Sequence, residues 1–174
     1  MPYEYAGATV DEARERVTVT LASRSSEEWA GYRTAEAHDV EGCAIEITVL
    51  EVPTARDASA YLYVSSFADD LIYVRLHKTG TVISFYDTSS GNAATTPDKP
   101  EIERWRLVFD SEGVRAEVFA GAAWSPVGGA PMPGFVDSAR IELGAGSSAV
   151  VSDPGVFVVD RLAAGDPSAD AASP

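Results

Sequence analysis

The stretch Ala60-Tyr61-Leu62-Tyr63-Val64-Ser65-Ser66, with Ile72-Tyr73-Val74-Arg75-Leu76-His77 and Val82-Ile83-Ser84-Phe85-Tyr86 behind it, sets the architecture. Each segment alternates an aliphatic or Phe residue with a polar or tyrosyl one. That is the period of two which sends successive side chains to opposite faces of a strand. Lys78-Thr79-Gly80 links the last two runs as a short hairpin loop. The inward set is then Leu62, Val64, Ile72, Val74, Leu76, Ile83 and Phe85, and the other face carries Tyr61, Tyr63, Ser65, Tyr73, Arg75, His77, Ser84 and Tyr86.

The same rhythm extends in both directions, punctuated by Gly, Pro, Asp and Ser clusters. It predicts further strands over Arg16 to Ala22, Tyr32 to Ala37, Ala44 to Glu51, Glu103 to Asp110, Val114 to Ala120, Ala139 to Leu143 and Gly155 to Leu162. Asp110-Ser111-Glu112-Gly113 reads as the turn of a second hairpin. Only Val10 to Arg16 and Ser25 to Ala30 suggest a helical turn, and both are short. So many strands with no intervening helices make an all-β, antiparallel two-sheet sandwich or jelly roll, and no internal repeat points to a propeller or solenoid. Residues 1–15 are expected as an N-terminal arm and 16–162 as the domain. Residues 163–174, built of Ala, Gly, Asp, Ser and Pro, are expected as a disordered tail or linker.

With 13 Lys and Arg against 27 Asp and Glu, the net charge of the 174 residues is -14, which disfavours nucleic acid as a partner. No apolar run approaches the roughly 20 residues that cross a bilayer, so no membrane insertion is expected. The start, Met1-Pro2-Tyr3-Glu4-Tyr5, lacks the basic and apolar regions of a signal peptide. Cellular location is left open, because a domain cut from a longer exported or virion protein would read the same way. The single cysteine, Cys43, cannot form an internal disulfide and reads as a small buried hydrophobe on a strand.

In Glu103 to Asp110, Trp105, Leu107 and Phe109 are the inward set and Arg104, Arg106 and Val108 the opposite one. If these strands are neighbours, Tyr61, Tyr63, Tyr73, Arg75, Tyr86, Arg104 and Arg106 line one outer face. Tyrosines stack on the apolar faces of sugar rings, and arginines orient hydroxyl or acidic groups. The alternative is that tyrosines on a solvated face are simply good strand formers that pair across strands. Of the three tryptophans, Trp105 belongs to the core set and Trp124 would cover a hairpin after Gly121-Ala122-Ala123. Trp29 is the one expected to be exposed.

Catalytic signatures are scarce. His38 and His77 are far apart and in no ligand spacing. No G-x-S-x-G elbow or Walker loop occurs. Gly144-Ala145-Gly146-Ser147-Ser148-Ala149 meets a loose dinucleotide spacing, but no helix can follow it, so it reads as a loop. Glu46 and Glu51 fall on opposite faces of a strand. Glu101 and Glu103 share a face, at a strand entrance where charge serves solubility. No cofactor is expected, although Asp69 and Asp70 leave a calcium loop open.

Gly31-Tyr32-Arg33-Thr34-Ala35, the run Ala37 to Ile47, Tyr73-Val74-Arg75, Trp105-Arg106-Leu107 and Ile141 to Gly146 together resemble bacterial domains of the concanavalin A-like lectin/glucanase superfamily, LamG-like jelly rolls. The closing run Gly155 to Leu162 is similar to the final strand of such domains. The resemblance implies two bent antiparallel sheets and recognition of a glycan or surface on one face or its rim loops. It also implies membership among the appendages of secreted enzymes, surface proteins and phage tail proteins. The catalytic branch carries E-x-D-x-E where this chain has Glu46-Ile47-Thr48-Val49-Leu50, so an enzyme is not expected. The expected function is a non-catalytic lectin-like module that binds carbohydrate or a cell-surface polymer through the Tyr/Arg face. A structural or interaction domain that buries this face against a protein partner is the alternative, and a hydrolase or lyase using Glu101 and Glu103 a third reading.

Overall fold

A computed structural model describes residues 1–13, 16–22, 27–97 and 102–167, with side chains for all of these but 102 and 103. No helix forms among them. The chain folds as an antiparallel jelly-roll sandwich of two seven-stranded sheets. The first sheet contains β1 (Pro2–Tyr5), β4 (Glu28–Arg33), β6 (Ala58–Ser66), β7 (Tyr73–Thr79), β8 (Val82–Asp87), β9 (Ala93–Pro97) and β13 (Ala139–Ser147), in the order β1-β4-β13-β6-β7-β8-β9. The second contains β2 (Thr9–Ala13), β3 (Arg16–Thr20), β5 (Ala44–Glu51), β10 (Ile102–Asp110), β11 (Gly113–Ala120), β12 (Ala123–Ala130) and β14 (Val156–Gly165), in the order β12-β11-β10-β5-β14-β3-β2.

The inward faces match the alternation in the sequence. Ala60, Leu62, Val64, Val74, Leu76, Ile83 and Phe85 from the first sheet meet Ile45, Ile47, Trp105, Leu107, Phe109 and Phe157 from the second, all of them sealed from solvent. Trp105 lies beneath Phe157, with ring centroids 6.3 Å apart. Ile72 departs from the expectation: it precedes β7 in the turn and is exposed, because its amide is tied back to the Asp69 carbonyl before the pleat begins. The hairpin between β7 and β8 turns at Gly80, whose φ of 56° few other residues adopt readily.

The chain ends are woven into the sandwich. Residues 2–5 and 9–13, expected as an arm, are β1 and β2, edge strands of opposite sheets. Residues 163–165, expected in a tail, continue β14 against β5. The stretch of residues 10–13 that suggested a helical turn pairs antiparallel with β3 instead, Val10 opposite Val19 and Glu12 opposite Val17. Residues 28–30 of the other such stretch are strand, while Ser25 and Ser26 lie outside the described residues. Two further strands, β9 and β12, were not anticipated, since Ala-Ala-Thr-Thr-Pro and a stretch with Pro126, Gly128 and Gly129 carry little β signature.

Candidate functional site

The outward face of the first sheet follows from its register. One transverse row runs Trp29, Gly146, Ser59, Thr79. The next runs Tyr3, Gly31, Gly144, Tyr61, His77, Ser84. A third runs Arg33, Glu142, Tyr63, Arg75, Tyr86. Three glycines on neighbouring positions of β4 and β13 leave that part of the face without side chains.

Tyrosines fold over this floor. A Cβ at Gly144 would lie 2.6 Å from the Tyr61 hydroxyl, and one at Gly31 would lie 2.6 Å from that of Tyr3. Tyr3 donates its phenolic hydrogen to Glu142 Oε1 at 2.5 Å, so in the 2.6 Å contact between the two hydroxyls Tyr61 is the donor. Burial, with Glu142 beside them, pushes both phenols well above the usual tyrosine range. Burial also raises Glu142, against the lowering pull of the Tyr3 hydrogen bond and of the Arg33 and Arg140 charges.

Beside this network opens a cleft of about 420 Å³, with Gly146 and Ser59 on its floor and Tyr61, Tyr63, Arg75 and Glu142 at one end. At the other end stand Trp29, Arg56, Asp57 and Ser148. Trp29 is 40% exposed, as the sequence suggested. It is braced by Tyr5, which lies outside the cleft, stacked at 4.6 Å with 13° between the ring planes.

The expected site residues divide between the two sheets. Tyr61, Tyr63 and Arg75 line the cleft. Tyr73 and Tyr86 continue the same face as an aromatic ladder, Tyr63 to Tyr73 at 4.4 Å and Tyr73 to Tyr86 at 6.1 Å between centroids. Arg104 and Arg106 do not belong with them. Their strand, β10, pairs with β5 and β11 in the second sheet, so the shared Tyr/Arg face is confined to the first. There Arg104 Nε donates to Glu46 and Arg106 Nε to Glu117, each at 2.6 Å, and Trp124 lies over the Arg106 guanidinium at 3.9 Å. These ion pairs and the ring tie strands together.

Asp69, offered for calcium, accepts the Leu71 amide at 3.0 Å and shapes a turn. No group of three His, Cys, Asp or Glu that could hold a metal occurs among the described residues. Glu101 lies outside the described residues, as does the Glu103 side chain.

No protein-family model matches the sequence, and no curated protein matches it either. Solved structures do. A functionally unknown protein from Saccharomyces cerevisiae superposes with a TM-score of 0.62 at 15% identity, covering 96% of each chain. The carbohydrate recognition domain of Emp47p gives 0.59 at 12% identity, over 95% of this chain and 88% of that one. An immunostimulatory antigen and pseudo beta-1,3-glucanase of Mycobacterium tuberculosis gives 0.55 at 12%, over 86% and 74%. What the chain shares with them is a two-sheet antiparallel jelly-roll sandwich. Similarity at this level carries the fold alone.

Trp29, Glu142, Arg56, Asp57 and the glycine floor were not singled out as site residues from sequence. Two signals were present. Ile141, Leu143 and Ala145 keep a period of two through Gly144 and Gly146, so the apparent loop is strand, with glycines on its outer face. Likewise Ala30 and Tyr32 alternate with Trp29, Gly31 and Arg33, which moves β4 earlier than Tyr32 to Ala37.

Proposed function

We propose that this protein is a non-catalytic carbohydrate-binding module whose ligand lies in the cleft on the outer face of the first sheet. The observation that carries the reading is the exposed Trp29 ring, stacked on Tyr5, at the edge of a trough whose floor is glycine and serine. A flat ring beside a bare floor fits the apolar face of a pyranose, and Arg56, Asp57 and Ser148 offer donors and acceptors for hydroxyls. Structural neighbours described as a carbohydrate recognition domain, a pseudo beta-1,3-glucanase and a beta-1,3-glucanase support the carbohydrate part of the reading.

Three carboxylates line the cleft, Glu27, Asp57 and Glu142. Among the described strands of the first sheet, Glu142 is the one carboxylate at an outward position of the three rows. Its neighbours two residues away on β13 are Arg140 and Gly144. One of its oxygens accepts from Tyr3.

Titration calorimetry against a glycan panel is expected to find a ligand. Trp29→Ala is expected to weaken that ligand about tenfold, or about 1.4 kcal/mol, with little change in stability because the ring is already exposed. Absence of any glycan ligand, or a ligand indifferent to Trp29→Ala, overturns the reading. Reducing ends released by the protein and abolished in Glu142→Gln would overturn its non-catalytic part.

A further inference from the structure

The arginines of the two sheets are treated differently. On the second sheet Arg16, Arg104, Arg106 and Arg115 each meet a carboxylate: Asp160, Glu46, Glu117 and Asp110. On the first sheet Arg33, Arg75 and Arg140 make no ion pair among the described residues and lie instead over the rings of Tyr3, Tyr73 and Phe67. The Nε of each is shielded from solvent and has no hydrogen-bond partner. Carboxylates are not in short supply, since acids outnumber bases 27 to 13. A shielded guanidinium donor left unmet is costly, so three on one face need a reason.

Arg75 lines the cleft, between Tyr63 and Tyr86 in the register. Arg33 and Arg140 flank Glu142, and their charges are felt there. Glu142 accepts from Tyr3 at Oε1 and makes no ion pair with Arg75. Arg75 thus brings a planar donor fork without an ion pair to a cleft that Arg56, Glu27, Asp57 and Glu142 also line. Such a fork matches a carboxylate or sulfate with two parallel hydrogen bonds.

We propose that the Tyr63 end of the cleft holds the anionic group of an acidic sugar, a carboxylate or sulfate, on Arg75, with Arg33 and Arg140 adding positive potential. This rests on carbohydrate binding in the same cleft and specifies its ligand class. Ring stacking at Trp29 and charge recognition at Arg75 would then act on successive parts of one oligosaccharide.

The test is calorimetry with oligosaccharides of pectate, alginate and hyaluronate, each beside its carboxyl-reduced form, and of a sulfated galactan beside its desulfated form. At least one charged form is expected to bind tenfold or more tightly than its neutral counterpart, and whether it is a uronate or the sulfated galactan identifies the anion. Arg75→Met is expected to bring that ratio to about one, and Arg75→Lys, which keeps the charge without the fork, to an intermediate value. The wild-type ratio stands as a test even if a variant fails to fold. Equal binding of charged and neutral forms, or a ratio unchanged in folded Arg75→Met, overturns this inference and leaves carbohydrate binding standing. If no glycan binds at all, charged or neutral, both readings fall.

Discussion

Gly144→Ala is expected to lower the unfolding free energy by about 3 kcal/mol or more, one of the larger effects that a single added methyl group can have. The added Cβ would stand 2.5 Å from the Ala30 carbonyl oxygen and 2.6 Å from the Tyr61 hydroxyl. A flexible side chain could yield, but Ala30 O is backbone of the neighbouring strand β4. At the facing position Gly31 the corresponding clash is tighter, 2.2 Å from the Leu143 carbonyl oxygen. Relief requires β4 and β13 to part, which strains the ladder between them and lifts the Tyr3–Tyr61–Glu142 network from its floor. For a chain of this size the melting temperature should fall by about 6–12 °C. Gly134→Ala is the control: its Cβ would meet nothing within 4 Å, so stability should stay within about 0.5 kcal/mol of the parent, or rise slightly. Chemical denaturation of both variants decides the matter, and a Gly144→Ala protein within 1 kcal/mol of wild type would show that the strands are less closely held than the geometry requires.

These glycines also show how far the sequence could be read. The inward set of β6, β7, β8 and β10 was legible because burial of aliphatic side chains at a period of two has few alternatives. The glycine positions of β13 were not, since a residue without a side chain gives no polarity signal, and Gly144-Ala145-Gly146 looks like a loop until the buried Ala145 is seen to continue the pattern. Strand neighbours were a second gap. Alternation assigns Tyr73 and Arg106 to outer faces equally well but says nothing of which sheet each strand joins, and that is settled by long-range pairing. Hence Tyr61, Tyr63 and Arg75 came together while Arg104 and Arg106 went to the opposite side of the sandwich. The edge strands β1 and β2 were missed for a related reason: Pro2–Tyr5 and Thr9–Ala13 are short and polar, and only their pairing with β4 and β3 makes them strands.

His77 sets the second large effect, which depends on pH. It stands between Tyr61 and Ser84 on neighbouring strands and between Arg75 and Thr79 on its own, with Nδ1 shielded and without a partner. Burial, with the Arg75 charge second, lowers its pKa from 6.5 to about 4. The folded protein therefore resists a proton that the unfolded chain accepts. Stability from this group is complete above about pH 6.5 and is lost as pH falls toward 4. Between pH 7.5 and 5.0 the loss is on the order of 1–2 kcal/mol after allowance for partial exposure of the ring. Glu142 slopes the other way: its raised pKa means that the folded state holds a proton more tightly, so its contribution declines as pH climbs above about 4.5. The two must be separated by difference. Urea unfolding of wild type and His77→Gln at both pH values is expected to show wild type losing that amount relative to the variant, at a pH still above the isoelectric point near 4.4. Parallel pH profiles for the two proteins would mean that the imidazole is charged in the fold, with an acceptor at Nδ1 that the geometry does not provide.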